Sequence, residues 1–340
     1  MEQSSAIHPH DDIHCIRTAM QWIEQGHNTA LACVTQTWGS APRPVGSFLA
    51  INDDGDFVGS VSGGCIEGEV ATQALGLMRA ESSANLQFAV SDEQATGAGL
   101  ACGGKVSVHV FFVSEQARIC LTQLLEKAEQ KTSAALTIDL SSGSLNLIAS
   151  EPSTPANEDM QTALDRGRAS VIDNDDGTNL FIRPFLPPLR LLIIGAVHIA
   201  QPLSALAALT GYEVTIIDPR DGWASPDRFP GFEIDRRMPG EAISSLEPDQ
   251  RTAIVALCHD PKLDDPGLIE ALRTPAFYLG ALGSRKNHAG RLGRLAGYGF
   301  DDHTLSRING PVGLDIGAST PAEIAVSILA EMTKSLRVRT

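Results

Sequence analysis

What the chain lacks narrows it first. No apolar run among the 340 residues is long enough to span a bilayer, and the opening MEQSSAIHPHDD has neither the basic nor the apolar region of a signal peptide. Basic charge is scarce. Lys and Arg number 26 against 41 Asp and Glu, a net charge of −15, which argues against general binding to nucleic acid or to an anionic membrane. An anionic ligand must then be held by local donors: helix N-termini, glycine-loop amides or a few well-placed arginines. The cysteines at 15, 33, 65, 102, 120 and 258 include no CxxC pair. That spacing suits neither a zinc ribbon nor a disulfide framework, so the expected compartment is a reducing cytoplasm. Internal repeats and low-complexity tracts are also absent.

What is present reads as a globular protein with two cores. The 43% hydrophobic and 20% charged content is ordinary for such a chain. Ile13, Ile16, Met20 and Ile23 recur at spacings of three and four and predict a first helix ending at Gly26. TALACVTQ (29–36), SFLAIN (47–52), LQFAV (86–90) and the alternating KVSVHVFFV (105–113) predict strands, and 116–130 predicts a helix. AALTIDL and LNLIAS add two more strands. The Pro-Pro break in NLFIRPFLPPLR (179–190) places a boundary at 188, giving domains 1–188 and 189–340.

Beyond Pro188 the pattern changes. LLIIGAVHIAQPLSALAALTGYEVTIIDPR (191–220) is an apolar strand, a glycine turn, an Ala/Leu-rich helix and a second apolar strand; TAIVALCHD (252–260) and AFYLGALGS (276–284) follow suit. Strands apolar on both faces belong to a parallel sheet in βαβ units. Thr320, Pro321 and Glu323 spell a capping box for the last helix. The expected fold class is α/β, a mixed N-terminal domain followed by a Rossmann-like, doubly wound C-terminal one. The cleft between the domains is the expected ligand site.

Two glycine-flanked cysteines stand out, Gly63-Gly64-Cys65 and Cys102-Gly103-Gly104. Glycine permits positive φ and close backbone approach, and a helix predicted from Ile66 would place Cys65 at an N-terminus, which lowers a thiol pKa. Each cysteine is either a functional thiol or a small core residue. Glu67 and Glu69 fall in the first helical turn, where acidic residues suit the macrodipole. Arg43, between prolines, is either an anion anchor or a surface arginine. His8, His10 and His14 are assigned no role, and Cys15, Cys33 and Cys120 read as core.

The turn Gly195-Ala-Val197-His198-Ile-Ala200 stands where a Rossmann fingerprint belongs, with Asp218 at the spacing of a ribose-binding acid. Val197 replaces the middle glycine and crowds the pyrophosphate approach, so NAD(P) binding is weakly supported. Three polar turns converge beyond the carboxyl ends of the strands: His198; Cys258-His259-Asp260; and Ser284-Arg285-Lys286. His259 with Asp260 serves either as an acid–base or metal ligand or as a strand-end cap. Ser284, Arg285 and Lys286 form either a phosphate cradle or, with Arg291 and Arg294, a solvated basic helix face.

The segments WGSAPRPVG, GSVSGGCIEGEV, GLACGGKV, GAVHIAQPL, VTIIDPR, CHDPKLDD, YLGALGSRKN and PVGLDIGASTPAEIAVSILAEM occur in this order along nearly the whole chain. In this the chain resembles the XdhC/CoxI family, the xanthine dehydrogenase accessory proteins. The resemblance implies a maturation factor rather than a metabolic enzyme. Such a chaperone binds the molybdenum cofactor, protects it while a cysteine desulfurase supplies its sulfido ligand, and hands it to an apo molybdenum hydroxylase. Other cofactor-biosynthesis proteins would be partners, and a homodimer is expected on base rates. Soft thiolates at Cys65 and Cys102 suit a molybdenum–sulfur centre, and glycine turns suit a bulky pterin, with Arg285 and Lys286 for its phosphate. The chain departs from the family at Val197, where GAGH is usual, and at Cys258, where THD is usual. An NAD(P)-dependent oxidoreductase and a metal-binding or partner-docking protein without its own cofactor remain the rival expectations.

Overall fold

The computed structural model describes residues 12–39, 43–89, 104–149, 162–164, 167–173 and 179–338. Contacts within the chain divide it into two units between Pro187 and Pro188. In the first, α1 (Asp12–Glu24), β1 (Thr29–Gly39), β2 (Phe48–Asn52), β3 (Phe57–Gly59), α2 (Glu67–Arg79), β4 (Ser83–Ala89) and β5 (Gly104–Phe112) come first, followed by α3 (Glu115–Glu129), β6 (Ala134–Asp139), β7 (Leu145–Ala149), β8 (Ser170–Asp173) and β9 (Asn179–Phe185). The strands form two antiparallel sheets, ordered β3-β2-β1-β5-β4 and β7-β6-β9-β8.

The two-residue period of β1 feeds two cores at once. Ala30, Ala32 and Val34 pack with Val70 and Ala74 of α2. Leu31 and Cys33 face the other way, among Cys15 and Ile16 of α1, Leu121 and Leu124 of α3, and Leu136 and Phe181 of the second sheet. Each buried Val, Leu, Ile or Phe among them contributes about 1.5–3 kcal/mol. β1 runs three residues past the predicted 36, through a bulge between Val34 and Gln36.

Arg183 ties the second sheet of this unit to α1 and to the turn before β2. The Arg183 guanidinium on β9 donates to Asp12 Oδ2 (2.6 Å) and to the Gly46 carbonyl (2.9 Å), and it lies 4.8 Å over the Phe185 ring. The other Asp12 oxygen accepts from the Phe48 amide.

The second unit holds β10 (Leu189–Ile194), α4 (Ala200–Leu209), β11 (Tyr212–Ile217), β12 (Glu233–Asp235), α5 (Pro239–Leu246), β13 (Thr252–Ala256), α6 (Pro261–Leu272), β14 (Tyr278–Ala281), α7 (Arg285–Ala296), α8 (Asp302–Leu305), β15 (Ile308–Asn309) and α9 (Pro321–Arg337). All six strands are parallel, in the order β12-β11-β10-β13-β14-β15. Numbered within the unit that is 3-2-1-4-5-6, the dinucleotide-fold order, with its switch point between β10 and β13. Leu191 and Ile193 pack under α4 and α9, while Leu192 and Ile194 pack under α5, α6 and α7. The capping box at Thr320 is formed, with the Glu323 carboxylate accepting from the Thr320 amide at 2.9 Å. No helix among the described residues is long and apolar enough to cross a membrane.

Gly59 marks a tight point. Its φ is +100°, and a Cβ there would overlap the Phe48 carbonyl oxygen and lie 3.0 Å from Cys15 Sγ. Gly59→Ala should therefore lower stability by at least about 2 kcal/mol, read as the shift of the urea midpoint.

Candidate functional site

In the first unit, residues 60–66 fold around a single carboxylate. Glu67 opens α2, but its side chain turns back and is buried, 4% exposed. Oε1 accepts from the Ser60 hydroxyl (2.7 Å) and the amides of Val61 (3.1 Å) and Ser62 (2.9 Å). Oε2 accepts from the Ser62 hydroxyl (2.6 Å) and the amides of Gly64 (3.0 Å) and Ile66 (3.2 Å). Ser60 and Ser62 relay the grip, their hydroxyls accepting from the Gly63 and Cys65 amides. Gly63 and Gly64, at φ of 82° and 115°, supply the left-handed backbone that wraps the carboxylate.

The consequence is a rigid turn with Cys65 exposed on it. The amides of Val61, Ser62, Gly64 and Ile66 are spent on Glu67, so a ligand meets the Cys65 thiol and not an amide cradle there. Arg43 belongs to the same cluster: its Nε donates to the Ser60 carbonyl at 3.1 Å. The turn gathers Arg43, Gly63, Gly64 and Cys65 from the predicted site. Gly104 begins β5 opposite Gly39, whereas Cys102 and Gly103 lie outside the described residues. Among the described residues the His/Cys/Asp/Glu group close enough to share an ion is His27, Asp53 and Asp54, which excludes Cys65. A metal contact at Cys65 therefore needs a ligand beyond those residues.

Glu67 is the residue that the sequence did not reveal. An acidic side chain in a first helical turn is already accounted for by the macrodipole, and only the structure shows it inverted into its own loop. Burial pushes its carboxyl up, but the hydroxyls of Ser62 and Ser60 and the Ser62 amide outweigh burial and hold it at about 2.

In the second unit the predicted residues gather at the carboxyl ends of the strands. Gly195 (φ 105°) is glycine for space as well as conformation, since a Cβ would lie 2.5 Å from Cys258 Sγ. Asp218 is fully buried and committed. Oδ2 accepts from the Ala196 amide (2.8 Å) and Arg220 Nη2 (2.6 Å), and Oδ1 accepts from the Arg220 amide (3.0 Å) and Nε (2.8 Å). The spacing that marks a ribose-binding acid is present, but its carboxylate already carries an arginine.

Cys258 is half-buried. Burial and the charges of Asp264 and Asp218 push its thiol up to about 12 against the opposing pull of Arg220, which disfavours the thiolate at neutral pH. His259 is exposed, at φ 59°. Asp260 caps α6 by accepting from the Lys262 amide at 2.9 Å, and Ser284 caps α7 by accepting from the Asn287 amide at 3.2 Å. Arg285, Lys286 and His198 are exposed.

The basic face expected for α7 is corrected at Arg291 and Arg294. Arg291 is 4% exposed, donates to the Leu282 carbonyl at 2.9 Å and lies 3.6 Å from the buried Asp264. Arg294 forms a two-bond pair with Asp265. Asp264 in turn accepts from the Cys258 amide at 3.2 Å. The Asp264–Arg291 pair thus ties the turn after β13 to the turn after β14, and burial raises the Asp264 carboxyl to about 6 against the opposing pull of Arg291.

Two outcomes follow from this chemistry. Glu67 titrates near 4.5 when unfolded and about 2 when folded. Its contribution, about 3 kcal/mol, is therefore complete above pH ~4.5 and lost as pH falls toward ~2. Urea midpoints of Glu67→Gln should fall less steeply than wild type across that window, from a lower starting stability at pH ~7. In folded wild type, iodoacetamide at pH ~8 with peptide mass mapping should label Cys65 and spare Cys258 and the buried Cys33, whose thiols burial holds protonated.

Comparison with known proteins places these turns in a family. The chain is 29% identical over 93% of its length to the molybdenum cofactor insertion chaperone PaoD of Escherichia coli, covering 86% of that protein. It is 27% identical over 92% of its length to a Bacillus subtilis protein described as a probable xanthine dehydrogenase component, covering 94% of it. A crystal structure described as a xanthine dehydrogenase from Bacillus halodurans shares the fold, with a TM-score of 0.75 and 23% identity over 97% of both chains. Residues 22–89 match the XdhC and CoxI family model, and residues 191–332 match the XdhC Rossmann domain. With each unit matched by a model of the same family, the chain belongs to the XdhC/CoxI family.

Proposed function

We propose that the protein is a chaperone of the molybdenum cofactor. It binds the cofactor, shields it while a cysteine desulfurase supplies its sulfido ligand, and delivers it to an apo molybdenum hydroxylase of the xanthine dehydrogenase type. The observation that carries this reading is the turn at 60–67, an exposed thiol on a backbone locked by a buried carboxylate. A cysteine whose role was packing would not need that scaffold. The likeness to PaoD over most of both chains supports the cargo.

The cargo fits the donors. Sulfur of Cys65 is a soft ligand matched to a molybdenum–sulfur centre, and open space above Gly64 lets a bulky group approach. The Arg43 side chain is half-exposed, with Nε anchored on the Ser60 carbonyl, and leaves its other nitrogens to meet an anionic group. Cys102, Gly103 and Gly104 complete the proposed site, and Arg285 and Lys286 are the proposed phosphate donors of the second unit. No side chain is assigned a catalytic step, and the setting is the reducing cytoplasm, with a homodimer as the working form.

The test is anaerobic co-expression of Cys65→Ser, Cys102→Ser and the double variant with an apo hydroxylase. Molybdenum and pterin copurifying with the chaperone should drop to background in the double variant, and hydroxylase activity should drop with them. Wild-type loading and activation in the double variant would overturn the proposal.

A further inference from the structure

The spacing from Gly195 to Asp218 points to a ribose diol held by the acid, the arrangement of an NAD-type site. The structure closes that contact. All four hydrogen bonds to Asp218 come from Ala196 and Arg220, so the carboxylate has become the anchor of an arginine. That arginine is held on a second side. Its guanidinium lies 4.5 Å over the ring of Trp223, a tryptophan left 42% exposed.

The loop carrying these groups is pinned beside the first helix of the nucleotide fold. Gln201 Nε2, in the first turn of α4, donates to the Arg228 carbonyl at 3.0 Å. Arg228 Nη1 donates to the Trp223 carbonyl at 2.6 Å, and its guanidinium lies 5.7 Å from the Trp223 ring. Arg228 makes no ion pair with any described acid, and α4 has no side-chain cap at its N-terminus. Nearby, Asp221 lies 3.4 Å from Arg236, so its charge is already opposed. At the carboxyl ends of β10 and β11, where bound nucleotides lie in such sheets, a protein of net charge −15 presents two guanidinium groups and a supporting ring.

We infer that Arg220, Trp223 and Arg228 form a site for a nucleotide phosphorylated on its adenosine ribose, the NADP(H) class and not the NAD(H) class. Arg220, with Nε and Nη2 committed to Asp218 and Nη2 also 3.7 Å from Cys258 Sγ, is braced against Trp223 to offer Nη1 to the ribose phosphate and its free face to the purine. Arg228 adds the second cation. Val197 crowds the pyrophosphate side, so discrimination rests on the ribose phosphate. The site uses neither Cys65 nor Arg43 and does not depend on the cofactor reading, since binding is measured with no molybdenum present.

The experiment is titration calorimetry of the full chain with adenosine 2′,5′-bisphosphate, adenosine 5′-monophosphate and neopterin monophosphate. The bisphosphate should bind at least about tenfold more tightly than the monophosphate, as expected for one charge-assisted phosphate contact. Arg220→Lys, which keeps the charge partner of Asp218 but loses the fork, should reduce that ratio. So should Arg228→Gln on the partly exposed loop, with thermal melting checked for both. Equal binding of the two adenosine nucleotides, no binding of either, tighter binding of the pterin, or an unchanged ratio in both variants would each overturn the assignment.

Discussion

A carboxylate removed from water must have its lone pairs met by donors or be neutralised, and the candidate sites of this protein hang on that requirement. Glu67 draws four backbone amides and two serine hydroxyls around itself, and the turn they make is what presents Cys65. Asp218 draws in the Ala196 amide and Arg220, fixing the glycine turn after β10 and the loop after β11. Asp264, with a weaker set of donors, links the turns after β13 and β14 through Arg291. In the first two cases the acid is withdrawn and the group it positions, Cys65 or Arg220, is left at least partly exposed, whereas Arg291 stays buried with Asp264.

An acidic chain can in this way still present positive groups at its surface. The buried acids are met by hydrogen bonds from the backbone and from side chains, and Arg220 is aimed by its acidic partner while Arg43 and Arg228 are held on backbone carbonyls. Arg183 follows the same rule in a structural role, braced by Asp12, the Gly46 carbonyl and Phe185. An arginine held from two sides loses little further freedom when it meets a ligand.

Much of the fold was legible in the residues. The apolar strands of the second unit and the capping box at Thr320 are local signals, and local signals survive folding. The segment TALACVTQ reads as a strand but not as one buried on both faces, because small residues at 30 and 32 and larger ones at 31 and 33 serve two different cores. The side-chain partners were the unreadable part. Glu67 looked like a helix-dipole acid, Asp218 like a ribose ligand, and Arg291 like a solvated charge. Each was misleading for the same reason: sequence spacing places a side chain on an element but does not say which way a long, flexible side chain turns or what it finds. The glycines at 63 and 64 were the one legible hint, since paired positive-φ positions announce a loop wrapped around something.

The bond between Asp12 and Arg183 joins residues 171 positions apart, near the two ends of the first unit. A growing chain can therefore pack α1 against β1, β2 and α3 first, but this ion pair must wait until β9 has left the ribosome. Until then the face of β1 that carries Leu31 and Cys33 lacks part of its cover. Loop closure over such a span is slow relative to local helix formation. The first unit thus completes this core only when its last strand is available, and a contact of such long range lengthens the interval in which an apolar strand face stays open.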